Sequence, residues 1–571
     1  MIEASGKNSF QDDKTTTEEI MSRLIRKSRE TESAALSVKK FFQQVIHYIL
    51  CLYILLILGV LPFYQEEGYS HIGTDKSTFF NQVSVMAGRL LFPLLLCYLA
   101  ASLIECLQRG RAKKNETEQE GEGLWKGLKK SLSLTDGFAL LYGIVLLVSY
   151  ACSRYRDTAL WGEDWWFMGL YPQLALLCIY FFLSRLWNPR KELFFLVFPV
   201  SGVVFLLGFL NRFGIYPLDM QVKNVQFIST IGNINWYCGY LVSVFFGGVF
   251  LLWQQAAQKP WQRALFGAYV AAGFATLATQ GSSSGIVSLA AVVLVLLWLS
   301  APKGERMQQL WLILLLFSAV CLIIFCIRRI FPESMTYSDT VSELLTGSPL
   351  PIVMTAVSAL AYLGIVWIRK KKDYPERLAV RLTRGMCIGI LLLAAVIGAL
   401  ICVNTLYPGC IGPLSQISAF TFSPAWGSNR GATWKAGLMC FLEQDFLHRL
   451  IGVGPDCMAA YLYGNGSEEL LSLVRERFGE ARLTNAHNEW LTVLVNTGVT
   501  GATAYVGMIV SAIVRYIRQR DRNYITAAAG FCLLAYTVNN MFSFQQAMNV
   551  STMFVIFGIG EAYQRRKENV S

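Results

Sequence analysis

Stretches of about 20 apolar residues recur along this chain, and no other feature restricts its fold as strongly. A helix needs about 20 residues to cross a hydrocarbon core of about 30 Å, and every backbone polar group inside that core must be bonded within the helix. Fourteen segments qualify: 45–64, 83–107, 134–153, 165–186, 192–211, 232–253, 262–279, 282–300, 309–327, 350–368, 385–406, 498–517, 523–541 and 547–563. They predict an all-α polytopic membrane protein of about 14 transmembrane helices. Composition agrees: 54% of the 571 residues are hydrophobic and 15% are charged, where a soluble chain carries about 25% charge. Disorder, collagen and a small disulfide scaffold are excluded.

The charge of +12 has a topological reading. With the N-terminus inside, 36 of the 50 Lys and Arg fall on the inner face, 13 on the outer face, and Arg89 within a span. That asymmetry is what the positive-inside rule expects, so nucleic acid is not implied. The first 44 residues hold no apolar run or small-residue cleavage site, so no removable signal peptide is expected and the first span anchors the chain. This gives a cytoplasmic tail over 1–44, spans over 45–406, an extracytoplasmic loop domain over 407–487, spans over 488–563 and a cytoplasmic tail over 564–571. The expected location is the cytoplasmic membrane, multi-pass, with both termini inside.

A loop of about 80 residues stands out among short ones, and long structured loops in compact proteins are usually functional. Trp426, Trp434, Phe441, Phe446, Leu450, Met458 and Tyr461 would supply its core. The spacing predicts a helix from about Gly431 to Phe446, a turn at Gly452-Val453-Gly454-Pro455, Asp456 capping N–H groups at a short helix, and a helix from the Ser467 cap to Gly479. Of the 14 cysteines only Cys410, Cys440 and Cys457 lie in the loop, leaving room for one disulfide. There is no CxxC or His/Cys cluster to suggest a metal.

Four histidines occur: His47, His71, His448 and His487. His487, in Asn485-Ala486-His487-Asn488-Glu489-Trp490 at the outer membrane edge, reads either as a general base or as an interfacial histidine satisfied by its neighbours. His448 reads as a cation at a helix C-terminus. Arg430 is either a bidentate phosphate ligand or a solvated loop residue. Arg89 marks a polar cavity or snorkels to the headgroups. The run Ser282-Ser283-Ser284 meets a pyrophosphate or permits close helix packing. Asn233 and Asn235 cap the sixth span or line a site. No GxxxxGK[ST] loop argues for ATP.

Together, Arg430, Trp434 and Ala436, then Gly452-Val453-Gly454, then His487-Asn488-Glu489 and Leu491, then Gly498 and Gly501, resemble the signature region of the O-antigen ligase and O-antigen polymerase family. Gly232-Asn233-Ile234-Asn235 is similar to the family's Gly-Asn-Pro-Asn. The resemblance implies a glycosyltransferase of cell-envelope polysaccharide biosynthesis. It would move a glycan from an undecaprenyl-pyrophosphate donor to the hydroxyl of a glycan, lipid or cell-wall acceptor. Arg430 would hold the pyrophosphate and His487 would activate the hydroxyl, with Arg89, Asn235, Ser283, Trp434, Asn488 and Glu489 as substrate contacts. The family's second phosphate contact, often Ser-Arg, has no counterpart after Thr279; Arg89 stands first as its substitute, with Arg212, Arg328 and Arg329 behind. Fourteen spans exceed the family's usual count of about twelve.

Such a transfer needs charge stabilisation at the leaving phosphates and a base for the hydroxyl. It calls for no cofactor, and a single displacement inverts the anomeric carbon. The rival reading is a lipid-linked oligosaccharide flippase or other transporter, but that class expects internal repeats and paired broken helices, and neither is visible.

Overall fold

The structure is a computed structural model that describes residues 36–113, 132–164, 166–222, 224–254, 259–371 and 374–568. The expected inner-face tail through residue 35, most of the basic stretch 108–133, Lys372 and the end of the C-terminal tail lie outside the described residues. The described chain is predominantly helical, and a helix lies at each of the fourteen apolar stretches: α1 (Leu36–Val60), α2 (Ile72–Lys113), α3 (Leu134–Cys152), α4 (Leu170–Leu186), α5 (Val197–Arg212), α6 (Ile234–Trp253), α7 (Pro260–Thr279), α8 (Ser284–Ser300), α9 (Gly304–Ile330), α10 (Leu350–Lys371), α11 (Glu376–Leu406) and, after the loop, α16 (Glu489–Arg518), α17 (Tyr524–Asn539) and α18 (Ala547–Glu568). Nine of the described helices are long and apolar enough to cross a membrane, and α4, α8 and α17 are shorter apolar helices. The loop contributes α12 (Trp426–Leu442), α13 (Phe446–Ile451), α14 (Met458–Asn465) and α15 (Glu468–Phe478).

The chain divides into two compact units. The smaller contains residues up to Tyr53, Ser84–Leu132 and Leu186–Asn188; the larger contains Ile54–Val83, Ser133–Arg185 and Pro189–Ser571. In the smaller, Lys39 and Glu105 pair at 2.8 Å, and Arg89 is exposed on its helix. The larger holds every other candidate residue.

Inside the larger unit α6 is buried along its whole apolar length. Water-driven burial cannot pack helices inside a bilayer, so close approach at small residues does so. Gly247 faces Ala528 and Cys532 of α17, and Gly248 faces the Tyr269 ring of α7. Phe250 stacks on Phe531 at 4.9 Å. At the other end of α16, Arg515 forks onto Glu561 at 3.0 and 3.1 Å, while Arg185 at 3.0 Å and Arg565 meet the buried Asp136.

The loop domain packs on α16 through backbone. Gly452 and Gly454 adopt φ of 80° and 128°, which L side chains rarely accept. A Cβ on Gly452 would run into the Asn496 carbonyl, and one on Gly498 into the Leu450 carbonyl. Val453 and Gly454 donate to the Val495 and Asn496 carbonyls at 3.3 and 3.1 Å. The expected loop core is only partly right: Met458 is buried, but Phe446 and Leu450 are exposed. The buried cluster is instead built from smaller side chains, including Ala436, Cys440, Val453, Cys457, Leu462, Leu470 and Val474. All fourteen cysteines are free, so the loop disulfide does not form.

Gly498 (φ 65°, ψ −174°) also breaks α16. Sixteen residues of straight helix span about 24 Å, yet Glu489 bonds the Tyr505 hydroxyl and Trp490 packs on the Tyr505 ring at 5.9 Å. The turns 489–497 therefore fold back along the start of the following span. Gly452→Ala is expected to cost at least about 1 kcal/mol and to loosen the loop. Limited proteolysis of 407–487 in the intact protein checks this: faster cleavage is expected, and an unchanged pattern would contradict the contact.

Candidate functional site

Glu489 opens the folded-back helix fully buried. Its backbone N–H donates to the Asn540 carbonyl at 2.9 Å. Its carboxylate accepts from Tyr505, Asn540, Tyr536 at 3.1 Å and Gln545 at 3.5 Å. A buried carboxylate without a cation is tolerated only when its lone pairs are filled in this way. Asn488 caps the same helix, accepting from Leu491 N–H at 3.1 Å, which is a structural role.

From Asn540 a polar chain runs across the bundle: Asn539 to Ser284 at 2.8 Å, Ser284 to Ser282 at 2.9 Å, and Ser282 to Asn235 at 3.1 Å. Asn233 caps α6 by accepting from Asn235 N–H at 2.9 Å. Asn235 thus joins Glu489 in one network. Ser283 does not, because it is exposed and donates to Asp339 at 3.0 Å. The inward hydroxyls of that run are its neighbours, an orientation that three consecutive serines do not reveal.

The element that gathers the site is the turn Asn539–Gln546 between α17 and α18, which the sequence reading did not single out. Phe542 accepts the Arg430 Nε–H at 3.2 Å and lies against Trp434. Phe544 meets the His487 ring edge-on at 5.1 Å. Five side-chain amides between Asn539 and Asn549, at the junction of two apolar helices, were the available signal.

Arg430 follows three left-handed residues, Gly427, Ser428 and Asn429, and donates Nη1–H to the Gly427 carbonyl at 3.2 Å. No carboxylate among the described residues pairs with it, Nη2 has no bond, and burial holds its pKa below the ordinary value. Further donors are unmet: the Trp434 indole N–H and, on the turn that accepts Arg430, the Ser543 hydroxyl and the Gln546 amide. Arg212 is a second buried guanidinium without a carboxylate partner among the described residues. It donates to the carbonyls of Val225 at 2.6 Å and Gln280 at 2.5 Å, at the start of the serine turn, and its Nε is unpartnered. Arg328 is committed to Glu343 at 2.7 Å, and Arg329 lies over Phe325.

His487 is half-buried at φ 47°, with its N–H held by Asn485 at 2.9 Å. Burial first, and the Arg430 charge second, lower its pKa to about 4, so the imidazole is neutral at neutral pH. Ser428, Asn429, Asp456, His487 and Phe167 are among the few non-glycine residues at positive φ in the described chain, and strain of this kind clusters at functional sites. His448 pairs with Asp445, the N-cap of α13, at 2.6 Å, so its partner is a carboxylate at the helix start rather than the dipole of a helix C-terminus.

Asp456 does not cap its own helix. Its Oδ2 accepts N–H groups of Glu163 at 2.9 Å and Met168 at 3.0 Å, fastening the turn after α3 to the loop. Burial raises its carboxyl to about 7.

Residues 339–506 match the family model described as O-Antigen ligase. No curated protein matches the chain. The fold and site therefore define a multi-pass, all-α membrane protein with a partly buried cationic site under an ordered loop. The matched stretch contains the Arg430-to-Gly501 segment, and this similarity to the O-antigen ligase model supports a role in cell-surface glycan biosynthesis. The match includes Arg430, Trp434, His487 and Glu489 but stops short of Asn539–Gln546.

The folded Asp456 carboxyl binds a proton between about pH 4 and 7 that the unfolded one does not, so its contribution to stability falls as pH rises through that window. Asp456→Asn keeps an acceptor for both N–H groups without the charge, and should match or exceed wild-type thermal stability at pH 8. Asp456→Ala should lose about 1–3 kcal/mol. Thermal unfolding of the two variants checks this, and equal losses would contradict it.

Proposed function

We propose that the protein transfers a glycan from an undecaprenyl-pyrophosphate donor to an acceptor hydroxyl at the outer face of the cytoplasmic membrane. The observation that carries this reading is a guanidinium with no carboxylate partner among the described residues, Arg430, electrostatically coupled to a neutral histidine, His487. A pyrophosphate supplies the missing negative charge and the acceptor oxygens for unmet donors at Trp434, Ser543 and Gln546. Arg212, rather than the exposed Arg89, is the better substitute for a second phosphate contact.

In the step, the acceptor oxygen attacks the donor's anomeric carbon and His487 takes the hydroxyl proton. The carbon–oxygen bond to the pyrophosphate breaks, and the lipid pyrophosphate leaves with its electron pair against Arg430 and Arg212. One displacement inverts the anomeric configuration. The negative donor offsets the Arg430 charge at the imidazole, making it a stronger base when the donor is bound. Glu489 acts through the network, fixing Asn540 and thereby the turn that accepts Arg430.

Transfer by the purified protein in lipid nanodiscs tests this reading. His487→Ala should lose about 10²–10⁴ in turnover, with His448→Ala near wild type. The wild-type kcat/KM should stay level down to about pH 5 and fall on an acid limb near the histidine's pKa of about 4. Full activity in His487→Ala, or an unchanged limb, would remove the base.

Topology is tested separately. In a cysteine-free background, Arg430→Cys should react with a membrane-impermeant thiol reagent from outside and Lys371→Cys should not, following the charge asymmetry. Equal labelling would overturn the orientation.

A further inference from the structure

The short loop helix α13 turns its apolar side chains outward. Phe446 is 78% exposed, and Leu447 and Leu450 beside it, with Leu438 and Leu442 near the end of α12, are exposed as well. The polar side chains of α13 fold back onto protein: His448 pairs with Asp445, and Arg449 donates to the Leu442 carbonyl. A cluster of large apolar side chains left open in this way marks an interaction surface.

Depth indicates what covers it. The span α3 has 19 residues and rises about 28 Å, close to the thickness of a hydrocarbon core, about 30 Å. Ser149, almost one turn short of the loop end of α3, donates to the Asn496 carbonyl at 3.0 Å, the carbonyl that also accepts Gly454 N–H. Gly498 meets the Leu450 backbone, and Gly501 meets Val145 one turn deeper. The end of α13 therefore lies within the length of α3 rather than beyond it. From Leu450 back to Phe446 a helix rises only about 6 Å, so Phe446 stays near the level of the end of α3 whichever way α13 tilts. The irregular backbone that follows, Gly452 to Cys457, is buried throughout, as backbone at membrane depth has to be. The flanking surface is apolar too. Ile144, Leu147 and Val148 of α3 are exposed, as are Val499, Val506 and Val510 along one face of α16, and α13 packs against both helices. Its apolar side chains thus continue the lipid-facing surface of two spans.

We propose that α13, together with Leu438 and Leu442, is embedded in the membrane leaflet on the loop's side and anchors the loop domain there. The partner is bilayer lipid at the boundary of headgroups and acyl chains, the depth at which interfacial helices bury their apolar faces. The inference is independent of the transferase reading.

The test uses the full chain, cysteine-free, in phosphatidylcholine nanodiscs, with a bimane fluorophore attached at Phe446→Cys. Two references calibrate it: Leu147→Cys on the lipid-facing side of α3, and Glu476→Cys on the charged, exposed face of α15. Phosphatidylcholine bearing a nitroxide near the top of its acyl chain should quench the probe at 446 to the same extent as that at 147, and leave the probe at 476 bright. Iodide in the aqueous phase should do the reverse. Leu447→Cys gives the second reading should Phe446→Cys fail to fold. Lipid quenching at 446 and 447 no greater than at 476 places the helix in water and overturns the proposal. Shielding from both quenchers identifies a covering protein chain, such as a second copy, and overturns it too.

Discussion

The arrangement depends on a contact of backbone against backbone, Gly452-Val453-Gly454 on Val495 to Gly498. A side chain on Gly452 or on Gly498 would separate the surfaces, and one on Gly454 would run into Ser153 and Cys457. Because they meet, the loop is anchored directly to α16, and the chain between His487 and Thr497 can fold back instead of continuing straight into the membrane. Folding back carries Glu489 down to Tyr505 and Tyr536. That carboxylate then organises Asn540 and the turn that follows. Arg430, Trp434 and His487 all lean on this turn, so a bond or ring contact at Phe542 or Phe544 is downstream of three glycines in other segments.

Electrostatics explains why such a site is held so tightly. Arg430 and Arg212 are two guanidiniums with no carboxylate partner among the described residues, each fixed by backbone carbonyls. Carbonyl dipoles orient a guanidinium while leaving its net charge unneutralised, which an ion pair would not do. Burial, with the Arg430 charge adding to it, keeps His487 deprotonated at neutral pH. A site of this design is relieved by an anion, and the pyrophosphate of the proposed donor is one that would do so.

The helices were legible because 20-residue apolar runs admit almost no other reading, and the Gly452 turn, the Ser467 cap and the Gly479 stop were legible from local chemistry. Arg430 and His487 were readable from the resemblance. Their surroundings were not. The fold-back at Gly498 is invisible because residues 489 to 497 look like the start of a span. Asn539–Gln546 looks like an ordinary connection until tertiary packing sets it under the loop. Asp456 was expected to cap its own helix, and only the structure reveals that its partners lie near residue 165, almost 300 positions away. Phe446 and Leu450 are exposed because the loop's core is filled by alanine, cysteine and leucine, sizes that suit close helix contacts.

The central claim is that Arg430 holds the phosphates of a lipid-linked glycan. Donor binding by Arg430→Ala and Arg430→Lys, measured on correctly folded protein in nanodiscs, tests it most directly. A planar guanidinium engages paired phosphate oxygens by two parallel bonds and an ammonium supplies only a compact charge. The account therefore predicts that Arg430→Ala binds the donor at least about tenfold more weakly and that Arg430→Lys recovers only part of the loss. Unchanged donor affinity in a folded Arg430→Ala protein would contradict it and leave His487 without a phosphate-holding partner.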